Sequence, residues 1–378
     1  MRLSTKVSID RWVAGTVLLL LKPLVMALGF VLKRDHRLTV GRSVLVIKLV
    51  GGGSLFIALP NLLGLKRRHP DAELILLATP AVRPFAEAMN VFDRIEVIDD
   101  SSLSGLLRSA IGCWWRLLGV DTVVDLEVHS NSTTLLALGT LARNRLAFYL
   151  HDADFKQHIA THLLFLQQHS GIYWFYDQIF GLLDAEPVAA GTVRDHLATQ
   201  PRARSGGVSP HLGLGYACSE LGRERELTPE GWTTVLANRF AADARFSIEI
   251  LGGPGDVARA EPLAAAIRGR FANAVVVNSC GRHTIAEILS VLADMDQFWG
   301  IDSALLHIAR ALGRPTVSFW GPTDPATRLR DPDPVRDIVH YAKLPCSPCV
   351  HVASRSPCRG APSCMSRLLE ASGVGVAP

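Results

Sequence analysis

Asp302, Ser303 and His307 stand in the stretch GIDSALLHIARALGRPTVSFWG, residues 300–321. A carboxylate and a hydroxyl open a helical pattern there, and an imidazole follows one turn further in. Leu305, Ile308, Ala309 and Leu312 recur at helical spacing. Gly313 supplies the stop and Pro315 follows it. Asp302 or Ser303 can serve as N-cap, accepting hydrogen bonds from the first free N–H groups. The preceding run MDQFWG reads as a strand, so the helix opens at a strand's carboxyl end. In an open α/β sheet that edge is where ligands bind, and a helix N-terminus attracts phosphate. An ordinary capped helix with a core histidine fits the same residues.

Two glycine-rich turns follow strand-like runs directly: Gly51-Gly52-Gly53-Ser54 and Gly252-Gly253-Pro254-Gly255-Asp256. Glycines there let the backbone approach a ligand closely. Neither turn matches G-x-G-x-x-G or the P-loop, so neither is by itself a dinucleotide or ATP signal. In DTVVDLEVHS, read as one strand, Asp125, Glu127 and His129 alternate and share a face. A carboxylate at the carboxyl end of such a strand can accept a proton directly; a structural ion pair with an arginine would place it there equally well. Near the C-terminus, Cys346, Cys349, Cys358 and Cys364 are spaced C-x2-C-x8-C-x5-C, with His351 among them. Four thiolates can hold a structural zinc, and free thiols or a redox pair fit the same spacing. The sequence has seven cysteines, an odd number crowded at one end, which points to a reducing compartment. No D-x-D motif of the kind that binds a catalytic divalent metal stands out, and DPDP at 331–334 reads as a structural turn.

The elements that must position these residues alternate. SVLVIKLV, AELILLAT, RIEVIDD and DTVVDLEVHS read as strands with helical runs between them. HLGLGYA, FSIEILGG, AVVVNS, MDQFWG and TVSFW repeat the style further on. Alternation of this kind is the signature of parallel sheets with crossover helices. Between the halves lies a stretch rich in Pro, Gly and Arg, about 186–210, that reads as a linker. Three segments follow: a membrane-associating helix over 1–38, a domain over 39–195 and a second over 196–378. A cleft between two such domains is the expected ligand site. The 378 residues, 48% hydrophobic and 20% charged, can bury large cores. A net charge of +4 with no concentrated basic face gives no footprint for nucleic acid.

The N-terminus carries an apolar run from Trp12 to Leu32, broken by Lys22-Pro23, without a signal-peptide cleavage pattern. Its length just spans a bilayer. Arg11, Lys22 and Lys33 fall on nearly one helical stripe, which favours a helix lying in the membrane interface with its lysines reaching phosphates. A true span, or a helix packed on the protein itself, are the other readings.

Taken together these segments resemble glycosyltransferase family 9, the heptosyltransferase-like enzymes of bacterial surface polysaccharide synthesis. VLVIKLVGGGSLFIALPNLLGLKRRHPDAELILLA is similar to the family's first strand–loop–helix–strand, and IEILGGPGD to its donor-domain turn. VVNSCGRHTIAEILSVLADMDQFWGIDSALLHIARALGRPTVSFWGPTDP is similar to its C-terminal signature. The resemblance covers about residues 43–365.

What the resemblance implies is an α/β fold of GT-B type, with two doubly wound Rossmann-like domains facing a central cleft and, here, an added N-terminal apolar helix. The acceptor would bind the first domain and a nucleotide-diphosphate sugar the second. Asp302, Ser303 and His307 would hold the donor's phosphates and sugar, with Gly252 and Gly253 in the donor turn. Asp256 would lie near the donor ribose, Arg225 would contact phosphate or the reacting sugar, and Thr323 would line the same site. The reaction would be an inverting, metal-independent transfer of a heptose or related sugar to lipopolysaccharide or another cell-surface glycan, lipid-linked or not. The enzyme would sit peripherally on the cytoplasmic face of the bacterial inner membrane and need no cofactor, with structural zinc as an option at the cysteines.

One position departs from the family pattern. Where many members have an acid just after the first glycine-rich loop, proposed as the base, this chain has Ser54, which cannot act as a base at pH 7 and is expected to cap the following helix. Glu127 is the substitute acid the sequence offers, with His129 second. The departure also supports a rival reading, a catalytically inactive nucleotide-sugar-binding or scaffold protein at the membrane. A nucleotide-dependent oxidoreductase lacks its fingerprint here.

Overall fold

A computed structural model describes residues 9–33, 35–150, 154–198, 208–218, 220–350, 352–353, 358 and 363–371. The chain divides into two compact units: unit 1, residues 1–167 with 173–188, and unit 2, residues 168–172 with 189–378. Each contains one parallel sheet of six strands.

In unit 1 the strands are β1 (Ser43–Ile47), β2 (Glu73–Ala78), β3 (Arg94–Val97), β4 (Thr122–Asp125), β5 (Asn144–Tyr149) and β6 (His162–Phe165), in the order β3-β2-β1-β4-β5-β6. The helices are α1 (Gly15–Leu32), α2 (Gly52–Arg68), α3 (Arg83–Met89), α4 (Leu103–Leu117), α5 (Asn131–Gly139) and α6 (Ile172–Gly181). The sheet grows one way from β1 to β3 and the other way from β4 to β6. Right-handed crossovers therefore send α2 and α3 to one face and α4 and α5 to the other. On the second face Leu45, Ile47, Ile75, Leu77 and Val123 meet Cys113, Leu117 and Ala137 in one core cluster. The central strands are buried on both faces, which is why they read as continuous apolar runs rather than alternating ones.

Unit 2 repeats the plan. Its strands β7 (His211–Gly215), β8 (Ser247–Ile250), β9 (Val275–Asn278), β10 (Gln297–Ile301), β11 (Thr316–Trp320) and β12 (Asp337–Tyr341) lie in the order β12-β11-β10-β7-β8-β9. Counted from its own first strand this is again 3-2-1-4-5-6, the order whose reversal point binds nucleotides in doubly wound folds. The helices are α7 (Ala190–His196), α8 (Pro229–Ala237), α9 (Val257–Arg270), α10 (Ile285–Ala293), α11 (Ala304–Ala311) and α12 (Ser363–Ala371). Trp232, Phe246, Phe271 and Phe319 fill the core between sheet and helices.

Several expectations change. The strand expected over 121–130 ends at Asp125, because Asp125 Oδ1 accepts from the Glu127 N–H at 3.0 Å and turns the chain. Glu127 and His129 thus lie beyond the strand, and the shared strand face does not hold for them. Ser54 is no helix cap: α2 starts at Gly52, with Gly51 as its N-cap in a left-handed conformation (φ 84°) open to glycine. The stretch expected as a linker contains α7. The N-terminal helix is tied to unit 1. Asp10 accepts from Ser130 Oγ (2.8 Å) and from the N–H groups of Asn131 (2.9 Å) and Ser132 (2.8 Å), so it caps α5 from outside. Lys22 Nζ donates to the Asp154 carbonyl at 3.0 Å.

Candidate active site

In unit 2, β7 and β10 are neighbours at the reversal point of the strand order, with Gly215 paired to Gly300. Their carboxyl ends deliver Arg225 and Asp302. Arg225 Nη1 donates to the Asp302 carbonyl at 2.7 Å and to its carboxylate Oδ2 at 3.2 Å, while Nε donates to the Gly222 carbonyl at 3.1 Å. His307 Nε2 lies 3.4 Å from Asp302 Oδ1. All three side chains are buried, and a carboxylate can only accept, so the proton of His307 sits on Nε2. Burial alone would raise the Asp302 carboxyl, but the His307 hydrogen bond and the Arg225 charge outweigh it and hold it far below the usual carboxylate range. Burial lowers the His307 imidazole, and Asp302 only partly opposes this, so the ring is neutral at pH 7.

This arrangement leaves the mouth of α11 open. Asp302 is spent on Arg225 and His307. Ser303 occupies the N-cap position with extended backbone but makes no side-chain cap bond. Its hydroxyl is buried and has no partner among the described residues. The hydroxyl of Thr323, in the loop after β11, is in the same state. Buried polar atoms are nearly always paired, so two such hydroxyls following neighbouring strands point to something that binds there. Arg328, from the same loop as Thr323, lowers the titration of both Asp302 and His307 through its charge.

On the next strand along, the Gly252–Asp256 turn closes on itself. Asp256 Oδ2 accepts from the Gly253 N–H at 3.0 Å, and Oδ1 accepts from Arg259 Nη1 at 2.9 Å. Arg259 also pairs with Glu226, and Tyr216 Oη donates to the Asp256 carbonyl at 3.0 Å. Asp256, expected near the donor ribose, shapes its own turn through these contacts. The cysteine segment holds the Thr323 loop: the Cys349 and Val350 N–H groups donate to the Pro322 carbonyl at 2.9 and 3.0 Å, and Ser347 Oγ donates to Gly321. A side chain at Gly321 would meet Cys364 Sγ at 2.8 Å. Cys346 is exposed, Cys349 and Cys358 are partly buried, and burial pushes the buried Cys364 thiol up to about 11. Among the described residues no three His, Cys, Asp or Glu side chains are placed to share a metal ion, so the described cysteines do not fit the zinc expectation; His351 lies outside them.

In unit 1 the corresponding edge carries Glu127. Its Oε1 accepts from Lys48 Nζ at 2.9 Å and from the Leu49 and Val50 N–H groups at 2.8 and 2.9 Å. Glu127 thereby clamps the start of the glycine-rich loop 51–54 to the end of β4. Burial works to raise its carboxyl, yet the Lys48 charge and hydrogen bond and the two N–H groups outweigh burial and lower it. Lys156 Nζ donates to the Glu127 carbonyl at 3.1 Å. Behind it Asp125 is fully buried, accepts from Thr133 Oγ1 at 2.8 Å, and is pushed by burial up to about 6. His129 is exposed. In the loop itself, a side chain at Gly52 would meet the Phe85 ring at 2.3 Å, so Gly52 lets α3 approach the loop.

Reading by residue type missed Lys48, Lys156 and Arg328. The first two look like ordinary strand-end and loop lysines, and Arg328 follows GPTDP without any spacing that marks it.

With this geometry in place, the chain can be set beside known proteins. Residues 229–359 match the family model described as glycosyltransferase family 9 (heptosyltransferase). No curated protein sequence matches the chain. Among solved structures it is similar to a glycosyl transferase family 9 protein from Veillonella parvula DSM 2008, with TM-score 0.60 and 15% identity over 81% of this chain and 87% of that one. It is similar to E. coli ADP-heptose lps heptosyltransferase II, with TM-score 0.59 and 15% identity over 88% of this chain and 100% of that one. A third is E. coli heptosyltransferase WaaC with ADP, at TM-score 0.59 and 15% identity over 79% and 92%. At such identities the likeness is one of fold. The match to the glycosyltransferase family 9 model thus lies within unit 2, and the chain as a whole has the α/β fold of the heptosyltransferases.

Proposed function

We propose that this glycosyltransferase moves a heptose or related sugar from a nucleotide-diphosphate sugar to lipopolysaccharide or another cell-surface glycan, without a metal and with inversion. The observation that carries the reading is the mouth of α11 at the reversal point of the second sheet. Its N-terminal N–H groups lack a side-chain cap, the Ser303 and Thr323 hydroxyls are buried without partners among the described residues, and the Arg328 charge is near. A diphosphate would satisfy all three at once. Asp302 is a positioning residue here: it fixes Arg225 and His307 so that the helix mouth faces a ligand rather than its own cap.

In the transfer, an acceptor oxygen attacks the anomeric carbon as the bond to the diphosphate breaks. Negative charge then grows on the leaving diphosphate, where preset N–H dipoles and a cation are worth most. The acceptor's proton goes to a group at the carboxyl edge of the first sheet. Glu127 is held ionised by Lys48, which makes it a weak base, and His129 is the exposed alternative beside it. The ADP bound in one solved relative and the ADP-heptose in the name of another support a nucleotide-sugar donor. The exposed apolar surface of α1 supports peripheral attachment to the cytoplasmic face of the bacterial inner membrane.

Titration with nucleotide-diphosphate sugars, read by melting, tests the donor site. A selective donor at about 100 times its Kd stabilises by about 2.7 kcal/mol. Arg328→Ala weakens that stabilisation and leaves the unliganded melting point in place. If no nucleotide sugar shifts the melting of the wild-type chain, the donor reading is wrong. A second reading, binding without transfer, is favoured by Ser54 at the loop and by the engaged state of Glu127. Donor binding without sugar transfer to any extracted lipopolysaccharide core would establish it.

A further inference from the structure

Helix α4 carries an apolar row that unit 1 does not cover. One side packs inward: Cys113 and Leu117 are in the core cluster, with Leu106 packed against it. At 100° per residue, Leu103, Leu107, Ile111, Trp114 and Trp115 span the adjoining arc. They are 52%, 57%, 57%, 37% and 65% exposed. The helix is therefore apolar over about half its circumference or more, while only part of that finds a place in the protein. Its charged residues are Arg108 and Arg116, both exposed, and it contains no acid.

The position of α4 shows what the row faces. It shares a sheet face with α5, and Trp114 Nε1 donates to the Gly139 carbonyl at the end of α5 at 2.7 Å. On α5's N-terminal side sits α1: a side chain at Gly15 would touch Asn131 at 3.4 Å, and Asp10 caps α5. Thus α4, α5 and α1 form one layer. The segment Trp12–Leu32 is long and apolar enough to cross a membrane, and only 11% of its most apolar stretch is buried. Leu20 and Phe30 are 74% and 81% exposed. A groove of about 600 Å³ lined by Val25, Leu28, Leu32 and Leu138 continues the apolar surface between α1 and the end of α5.

We propose that α4 is a second membrane-contact helix, which lays Leu103, Leu107, Ile111 and Trp115 into the interface of an anionic bilayer alongside α1. Two apolar surfaces in one layer, with Arg108 exposed on α4 and Lys33 exposed at the end of α1, match an anionic lipid surface, while Arg116 is taken up by Glu96. Tryptophan suits the depth at which apolar chains give way to headgroups. Two contacts also fix the orientation of unit 1 on the membrane, which one helix alone would leave free to rotate. The inference rests on the membrane attachment proposed above for α1, and its test separates the two.

The test is co-sedimentation of the full chain with vesicles of phosphatidylethanolamine and phosphatidylglycerol, with phosphatidylcholine vesicles as the uncharged arm. Leu107→Ser/Ile111→Ser/Trp115→Ser should bind anionic vesicles roughly 10- to 100-fold more weakly than wild type. Its melting point should be unchanged, since the side chains are exposed in the free protein. Should the triple variant melt early, Trp115→Phe in brominated-lipid vesicles is the second measure: part of the tryptophan quenching seen in wild type must disappear. Wild-type binding by the triple variant, with release by Leu20→Ser/Phe30→Ser, overturns the role of α4 and leaves that of α1. No vesicle binding by the wild-type chain overturns both. A vesicle-free dimer that the triple variant dissolves would make the row a self-association face and overturn the proposal.

Discussion

Replacing Glu127 by Gln separates a base from a clamp. Both readings predict loss of function, so activity alone cannot decide between them, and stability can. The Glu127 carboxylate is 15% exposed and Lys48 is 8% exposed, at 2.9 Å. Removing one partner of a buried pair leaves the other charge uncompensated, at a cost of about 3–5 kcal/mol. Gln keeps an acceptor oxygen for Leu49 and Val50, so the lower part of that range, about 3 kcal/mol, is expected. For a unit of this size 1 kcal/mol moves the melting point by about 2–4 °C, so Glu127→Gln should melt about 6–12 °C lower. Lys48→Met added to Glu127→Gln should recover much of that loss, because it removes the orphaned cation. Calorimetry of the four members of this cycle gives the coupling directly. Turnover should track the folded fraction and loop order rather than pH. A Glu127→Gln variant that melts like wild type while turnover falls about 10²–10⁴-fold would refute the clamp and restore Glu127 as the general base.

Other consequences follow from groups elsewhere. His307→Ala should destabilise unit 2, because it deprives Asp302 of a buried partner, and should also weaken nucleotide-diphosphate binding by unsettling the α11 mouth; a variant with intact melting and lost binding would make His307 a ligand contact instead. The linkage has a sign: a depressed imidazole is neutral in the fold, so its contribution is present above about pH 6.5 and is lost as pH falls through the folded value. Asp125 runs the other way. Its carboxyl is raised to about 6, so the fold holds a proton that the unfolded chain has released, and stability is lost as pH rises through about 6. Asp125→Asn should therefore stabilise unit 1 at pH 7 by on the order of 2–3 kcal/mol and remove its gain on acidification, as hydrogen exchange at pH 7 and pH 5 would show. Asp10→Ala should cost about 1–2 kcal/mol through the lost cap of α5; unchanged exchange protection at Asn131 and Ser132 would contradict the cap.

Much of this fold was legible because parallel strands buried on both faces leave unbroken apolar runs, and β1, β2, β7, β10 and β11 all read that way. β5, β6 and β12 did not stand out. β12 is an edge strand with no buried residue, and β6 is another edge strand of four residues. The candidate site was legible as a place and less so as a set of roles. Asp302, Ser303 and His307 do gather at a helix mouth. Which of them meets a ligand depends on who else is there, and Arg225 reaches Asp302 from 77 residues away. Likewise nothing local in DLEVH shows that Lys48 lies opposite, and its alternation alone suggests a strand face. The cap at Ser54 failed for a simpler reason: glycines tolerate the left-handed turn, and the helix begins two residues earlier than the first hydroxyl.

The two locks have the same topology. In unit 1 a cation just past the first strand, Lys48, binds an anion just past the fourth, Glu127. In unit 2 a cation beyond the first strand, Arg225, binds an anion just past the fourth, Asp302. Each pair spans the point where strand order reverses, the one place in such a sheet where adjacent loops lead to helices on opposite faces and leave a crevice. An unpaired charge in either crevice would carry a desolvation cost, so the pairs hold the loops at a fixed spacing. The difference lies in what remains. Glu127 ties up the N–H groups of Leu49 and Val50 and so closes its loop on itself. Asp302 takes no N–H of α11, and neither helix mouth has a side-chain cap, since the N-cap of α2 is Gly51. What sets the second edge apart is the pair of buried hydroxyls, Ser303 and Thr323, without partners among the described residues, with the Arg328 charge beside them. Those groups are the physical ground for proposing the diphosphate on the second sheet and not the first.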